Sequence, residues 1–392
     1  MNLAYQKPIT LAEDTISQHE LQATADWMLA GNRLTKADET TQFENEFSDW
    51  MGCKHSVFVN SGSSANLLMI YALKEAGRLR NKKVIAPAVS WVTTVSPLMQ
   101  FGFDVHLCDC DRLNLGLDLE HLEDLCRAER PALLILVHVL GHANHLREIK
   151  EICDRYDVVL IEDSCEALGT TFAGRKLGCH GVAGSFSFYY GHHISTIEGG
   201  MVVTDDSELH QVMMSLRSHG WSRDLNPNLR DTLQAEHNID DFRNLYTFYH
   251  AGFNLRSTDL QAFIGRGQIA KLDEIGSIRA RNFDIYSDLL TEFFQQKSAS
   301  EFLSSFAYGT LVENRLEVFE ALKAQKIECR PLICGNIARH PFWLREYGVK
   351  SLLNADVVHD FGIYLPNHHN LTEDDVVRVA DVFRSVAQVK TL

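Results

Sequence analysis

The sequence predicts an α/β protein built on a mostly parallel sheet sandwiched by helices, with a smaller C-terminal α+β domain. Three observations carry this reading. β-rich runs alternate with helical stretches between about residues 55 and 205, those runs are almost wholly apolar, and apolar residues recur at helical spacing from 257 to 297.

HSVFVN precedes the helical SSANLLMIYALKEAG, KKVIAPAV precedes VTTVSPLMQFG, and DVHLCD, ALLILVHV and DVVLIED follow. Strands without polar alternation are buried on both faces of a sheet, and in that architecture ligands sit beyond the strand ends. GSFSFYYG and GGMVVTDD are two further β-rich runs joined by HHISTIE, after which ELHQVMMSLRSHG reads as a helix. From Trp221 to about Asp241 no period is visible, so a loop is expected, long enough to be a lid or a subunit contact. Leu260, Phe263 and Ile264, then Leu272, Ile275 and Ile278, predict one or two long helices between two domains. The tail holds the β-type run EFLSSFAYGTLVE and the helical EDDVVRVADVFRSVAQ. The expected division is 1–265 for a large domain with the N-terminal segment, and 266–392 for linking helices and a small domain.

Composition narrows the function. The 392 residues are 45% apolar, enough for a large core, and the formal charge of −15 excludes a body-wide attraction to nucleic acid or anionic lipid. No stretch approaches the ~18 consecutive apolar residues of a membrane span. Nine cysteines lack the pattern of a disulfide framework and MNLAYQKPITLAEDTISQ lacks the features of a leader, so a cytoplasmic protein is expected. Cys108 and Cys110 form a CxC without a second pair, and His138, His142, His145, His368 and His369 lack partners at metal spacing. No metal site is expected, and burial is the expectation for the two thiols.

NSGSSAN, residues 60–66, lies between a strand and a helix, where small residues let backbone N–H groups approach an anion; Gly62 and Ser63 are phosphate candidates. SGSS is equally an ordinary turn with a serine cap. IEDSCEALG places Glu162 and Asp163 at a strand end, where Asp163 can pair with a protonated pyridine-type nitrogen; a solvated acidic loop is the alternative. Trp91 follows another strand and can stack on a flat cofactor or belong to the core.

In this order, and followed by FSFYYGHHISTIEGG, the segments resemble the DegT-type sugar aminotransferases, a fold-type I family that uses pyridoxal 5'-phosphate. AGFNLRSTDLQAFIG (251–265), IECRPL and IYLPNHHNLTEDDV extend the resemblance over nearly the whole chain. The family has a serine, a lysine five residues later and Glu-Gly-Gly beginning six residues after that. Here the counts from Ser187 and back from Glu198 both end on His192, and no lysine lies between Lys176 and Lys271. The usual covalent link to the cofactor cannot form.

A histidine there is similar to the family's 3-dehydratase branch, and HHISTIEGG, LRSHGWSR, AVSW and IECRPLICGN point to its GDP-sugar members. CDP-sugar 3-dehydratases also carry histidine but hold an iron–sulfur cluster on cysteines beyond this point, and none lies between Cys179 and Cys329. The resemblance implies removal of the 3-hydroxyl of a nucleotide-linked 4-keto-6-deoxy sugar, with pyridoxamine 5'-phosphate loaded from glutamate and ammonia released. It implies His192 as acid–base residue, since imidazole, with a reference pKa of about 6.5, exchanges protons at neutral pH. His193 competes for that role. By the same resemblance Ser187 contacts phosphate, Glu166 lies near the phenolic oxygen, Asn254 reaches the phosphate from the neighbouring subunit of a homodimer, and His219 and Arg330 serve substrate or amino donor. LTKADETTQFE departs from the family's TxGP loop, with Ala37 at the glycine position. Two alternatives stay open: a 4-aminotransferase with a relocated lysine, Lys176 being nearest, and a silent sugar-nucleotide-binding homologue.

Overall fold

The structure, a computed structural model, describes residues 7–390. In chain order its strands are β1 (His55–Val59), β2 (Lys83–Pro87), β3 (Asp104–Cys108), β4 (Leu133–Val137), β5 (Val159–Asp163), β6 (Thr171–Phe172), β7 (Arg175–Lys176), β8 (Ala183–Ser187), β9 (Gly200–Thr204), β10 (Tyr308–Leu311), β11 (Arg330–Pro331) and β12 (Gly362–Leu365). Seven of them form one sheet in the order β1-β9-β8-β5-β4-β2-β3, with only β9 running against the rest.

Strand β4 shows why these runs lack polar alternation. Leu133, Ile135 and Val137 face a core with the helices Gly62–Glu75, Val92–Gln100 and Ser207–Arg217, while Leu134 and Leu136 face one with Leu119–Glu129 and Leu146–Tyr156. A second sheet, β10-β12-β11, packs on Leu272–Leu289, Arg315–Ala324 and Glu373–Val386 around Tyr286, Tyr308, Val318, Val379 and Phe383. Ile9 joins this core and bridges to Ile327.

Two polar contacts fasten the helix Asp38–Met51 to the rest of the protein. Buried Glu44 accepts from the fully buried Arg217 and, at 2.8 Å, from the Phe58 N–H. Removing one member of such a pair strands a buried charge and costs about 3–5 kcal/mol. Ala37 begins the helix Asp38–Met51 without a side-chain cap; the Asp259 carboxylate instead accepts from the N–H groups of Ala37, Glu39 and Thr40 at 2.6–3.1 Å. This cap comes from a helix more than 200 positions away.

The expected loop from Trp221 to Asp241 is wrong in part: Pro227–Glu236 is a helix, followed by the turn Asp241–Asn244. Neither element buries a residue, so no apolar period could report them; the start signal was local, Asn226 as cap and Pro227 in the first turn. The β-type run near 301–313 contracts to β10. All nine cysteines are unpaired, and burial raises the Cys108 and Cys110 thiols well above their usual range. Among the described residues no helix is long and apolar enough to cross a membrane.

Candidate active site

A cavity of about 300 Å³ opens at the C-terminal ends of β1, β2, β4, β5 and β8, where Gly62, Ser63, Trp91, Thr94, Val137, Asp163, Glu166, Ser187 and His192 converge. Its floor depends on close backbone approach. Ser61 caps the helix Gly62–Glu75 by accepting from the Ser64 N–H at 3.1 Å, which leaves the first-turn N–H groups for an anion. A Cβ on Gly62 would lie 2.5 Å from Ser187 Cβ, and one on Gly200 would lie 2.3 Å from the Ser61 carbonyl oxygen. Glycine at both positions lets the helix start, β8 and the head of β9 meet.

Strand β5 ends in two adjacent carboxylates that face opposite ways. Asp163 enters the cavity, where Asn66 Nδ2 and Thr94 Oγ1 each donate to its Oδ2 at 2.7 Å and the Cys165 N–H donates to Oδ1 at 3.2 Å. Glu162 turns to the other face and does not belong to the site. Burial alone would raise its pKa, but His138 at 2.9 Å, the nearby His180 and the Gly181 N–H bring it down to about 2, and it also accepts from the N–H groups of Gly178 and His180. Its role is to hold the turn that leads into β8.

His192 follows β8 in a turn closed by its N–H bond to the Tyr189 carbonyl at 2.9 Å. Its ring lies 5.4 Å from that of Phe306 and its Nδ1 is buried without a partner. Burial lowers its pKa to about 4, against the pull of Asp163 and with Arg279 adding to the fall. Glu166 moves the other way: burial raises it to about 8, against the Leu140 N–H that it accepts at 2.8 Å, while Asp163 adds to the rise.

His193 points away from the cavity, 1% exposed, with Nε2 3.1 Å from the Ser304 carbonyl oxygen. Trp91 is 55% exposed at the cavity wall, so it is not a core residue. Asn254, His219 and Arg330 are exposed and do not line the cavity of their own chain. Arg330 stands across from Tyr364, which does. Sequence reasoning missed Asn66, Thr94, Phe306 and Tyr364. Asn66 was legible in principle, because it lies four positions after Gly62 on the same helix face; the others arrive from distant segments.

The model of the DegT/DnrJ/EryC1/StrS aminotransferase family matches residues 15–384. The GDP-4-keto-6-deoxy-D-mannose 3-dehydratase of Yersinia pseudotuberculosis is 33% identical over 373 residues, 91% of this chain and 93% of that protein. The Escherichia coli GDP-4-keto-6-deoxy-D-mannose-3-dehydratase with bound hydrated PLP matches with a TM-score of 0.88 at 30% identity, covering 97% of this chain and all of that one. A GDP-4-keto-6-deoxymannose-3-dehydratase with a trapped PLP-glutamate geminal diamine matches with a TM-score of 0.87 at 30% identity, covering 96% of this chain and 100% of that one.

Glu166 gives the site a pH signature of its own. Its folded pKa is raised, so its stabilising contribution is complete below about pH 4.5 and is lost as pH rises through about 8. Glu166→Gln keeps an acceptor for Leu140 without the ionisation. The apoprotein variant is expected to match the parent at about pH 4 and to exceed it by on the order of 2–4 kcal/mol at about pH 9, read from urea midpoints. Equal midpoints at the higher pH would contradict the raised pKa.

Proposed function

Because the chain belongs to the DegT/DnrJ/EryC1/StrS aminotransferase family, we propose that it removes the 3-hydroxyl of a nucleotide-linked 4-keto-6-deoxy sugar, with pyridoxal 5'-phosphate and pyridoxamine 5'-phosphate as cofactor forms. GDP-4-keto-6-deoxymannose is the proposed substrate and glutamate the amino donor, following the relatives. Ammonia and a 3-deoxy sugar leave. The observation that carries the reading is that His192 stands in the cavity and that, among the described residues, no lysine lines it. The flanking lysines are engaged elsewhere: Lys176 Nζ donates to the Trp50 carbonyl at 2.6 Å and lies over the Trp50 ring, and Lys271 pairs with Glu20. This counts against an aminotransferase with a relocated lysine.

The residues fit the cofactor. The first-turn N–H groups at Gly62 and Ser63, with Ser187, make a phosphate cradle that a Cβ at position 62 would fill. Asp163 would hold a proton on the ring nitrogen, Trp91 would flank the ring and Glu166 would lie beside the phenolic oxygen. When bound, the pyridoxamine form supplies an amine for the sugar's 4-keto group and a ring that accepts an electron pair. His192, kept neutral by burial, would take onto an imidazole nitrogen the proton that the cofactor's methylene carbon gives up, and would pass it to the hydroxyl oxygen departing from carbon 3, which leaves as water. The apolar wall of Val137, Phe306 and Ile333 excludes water around that exchange.

Asn254 is exposed outside its own cavity, which supports a homodimer in which it reaches the phosphate of the other subunit. Arg330, across from Tyr364, and His219 are assigned to sugar nucleotide or glutamate. Unpaired thiols throughout suit a reducing cytoplasm.

Replacing His192 with Lys is expected to give a borohydride-reducible link between the cofactor and that side chain, and to lower dehydration at least ~100-fold, the scale of a positioned acid–base group. His193→Lys is expected to leave the cofactor unlinked. If instead His193→Lys forms the link and His192→Lys stays active, the acid–base role moves to His193. Shared sites have a separate test: inactive His192→Asn and Asn254→Ala proteins, mixed under verified subunit exchange, should regain activity because each hybrid holds one intact site. No recovery would leave the sites independent.

A further inference from the structure

Behind His192 lies a buried cation that the chemistry above does not use. Arg279, on the helix Leu272–Leu289, is 2% exposed, and burial, unrelieved by any carboxylate, lowers its pKa to about 9. Its Nη1 donates to the carbonyls of Phe306 at 2.8 Å, of Ser305 at 3.4 Å and of Asn367, while Nη2 donates to the His192 carbonyl at 3.4 Å. The guanidinium also lies 5.9 Å from the Phe306 ring, whose own neighbour is the His192 imidazole at 5.4 Å. One side chain thus ties the turn that carries His192 to two small-domain segments and to an aromatic wall of the cavity.

A neutral staple would suffice for cross-linking alone. Asn367 already provides one, with Nδ2 donating to the Arg279 carbonyl at 3.0 Å and to the Ser305 carbonyl at 3.1 Å. Retaining an unpaired charge in the interior costs several kcal/mol, and its field acts on what lies nearest. The groups facing His192 are Asp163 and Glu166 from the end of β5, the Cys165 backbone, Arg279 from the linking helix and His193 from its own turn. Asp163 favours the imidazolium; Arg279 opposes it.

We propose that Arg279 is a positioning residue for His192, fixing its turn through the carbonyl fork and adding an uncompensated positive charge to the burial that disfavours the imidazolium. The proposal rests on His192 being the acid–base group, and its two parts separate by substitution. Lysine keeps the charge but loses the planar fork. Methionine keeps the stem and loses the charge.

The test uses full-length protein, with and without cofactor. The His192 ring is titrated by histidine-selective NMR, its signal identified by its loss in His192→Asn, and kcat and KM are measured across pH. Arg279→Met is expected to raise the ring's titration midpoint and the acid limb of kcat by roughly one pH unit. Arg279→Lys is expected to leave the midpoint in place and lower kcat about tenfold at unchanged KM, the effect of a small misplacement of the reacting group. A folded, cofactor-binding Arg279→Met with the parental midpoint, or an Arg279→Lys with parental kcat, overturns the proposal. If Arg279→Met does not fold, Arg279→Gln, which keeps donors without charge, takes its place with the same expected midpoint shift. Full activity in His192→Asn would defeat the functional reading instead, while the pH response of the NMR signal would still report on Arg279.

Discussion

The site depends on how strand β5 ends. Two consecutive carboxylates must face opposite sides of a strand, so Glu162 and Asp163 cannot serve the same purpose. Glu162, wholly buried, organises the Gly178–Gly181 turn and thereby the entry of β8, which delivers Ser187 and then His192. Asp163 is presented to the cavity with Oδ2 accepting from Asn66 and Thr94. Asn66 is held in turn, its Oδ1 accepting from Ser185 Oγ at 2.6 Å, so strands β5 and β8 and the phosphate-side helix share one buried network. Shifting any of them would move Asp163, the start of the helix Gly62–Glu75, Ser187 and His192 relative to one another within the cavity.

Burial then sets the charge inside the cavity. It lowers His192 to about 4 and raises Glu166 to about 8, so both groups are neutral around pH 7. Asp163 is the other carboxyl group that faces the cavity, and in the proposed reaction it would hold a proton on an electron-accepting ring. A neutral imidazole can accept a proton, and once charged in this apolar setting it has reason to give it up. A lysine in that place, with a reference pKa of about 10.4, would bring a different resting charge and a covalent attachment. In the proposed function the family's fold is therefore kept while one side chain would redirect the reaction.

Much of this was legible because the sheet is buried on both faces. The apolar runs marked β1, β2, β4 and β5, and the spacings from Ser187 and Glu198 placed His192 at the cavity without any knowledge of its surroundings. What stayed hidden involved either no burial or contacts between distant segments. The helix Pro227–Glu236 buries nothing and so has no apolar stripe. Thr94 meets Asp163 across 69 positions, and Arg279 meets His192 across 87, distances over which no local pattern operates. Adjacent His192 and His193 could not be told apart by residue type; only the turn after β8 puts one ring into the cavity and the other against Ser304. Which way Glu162 faces was likewise not legible, since orientation at a strand end needs the register.

The most direct measurement is of nitrogen and oxygen balance. Purified protein is incubated with pyridoxal 5'-phosphate, glutamate and nucleotide-linked 4-keto-6-deoxy sugars, GDP-4-keto-6-deoxymannose among them, and the products are analysed for ammonia, 2-oxoglutarate and the sugar's carbon 3. The account predicts equal amounts of ammonia and 2-oxoglutarate with a sugar that keeps its 4-keto group and has lost the 3-hydroxyl. A stable 4-amino sugar retaining that hydroxyl, formed without free ammonia, would contradict it.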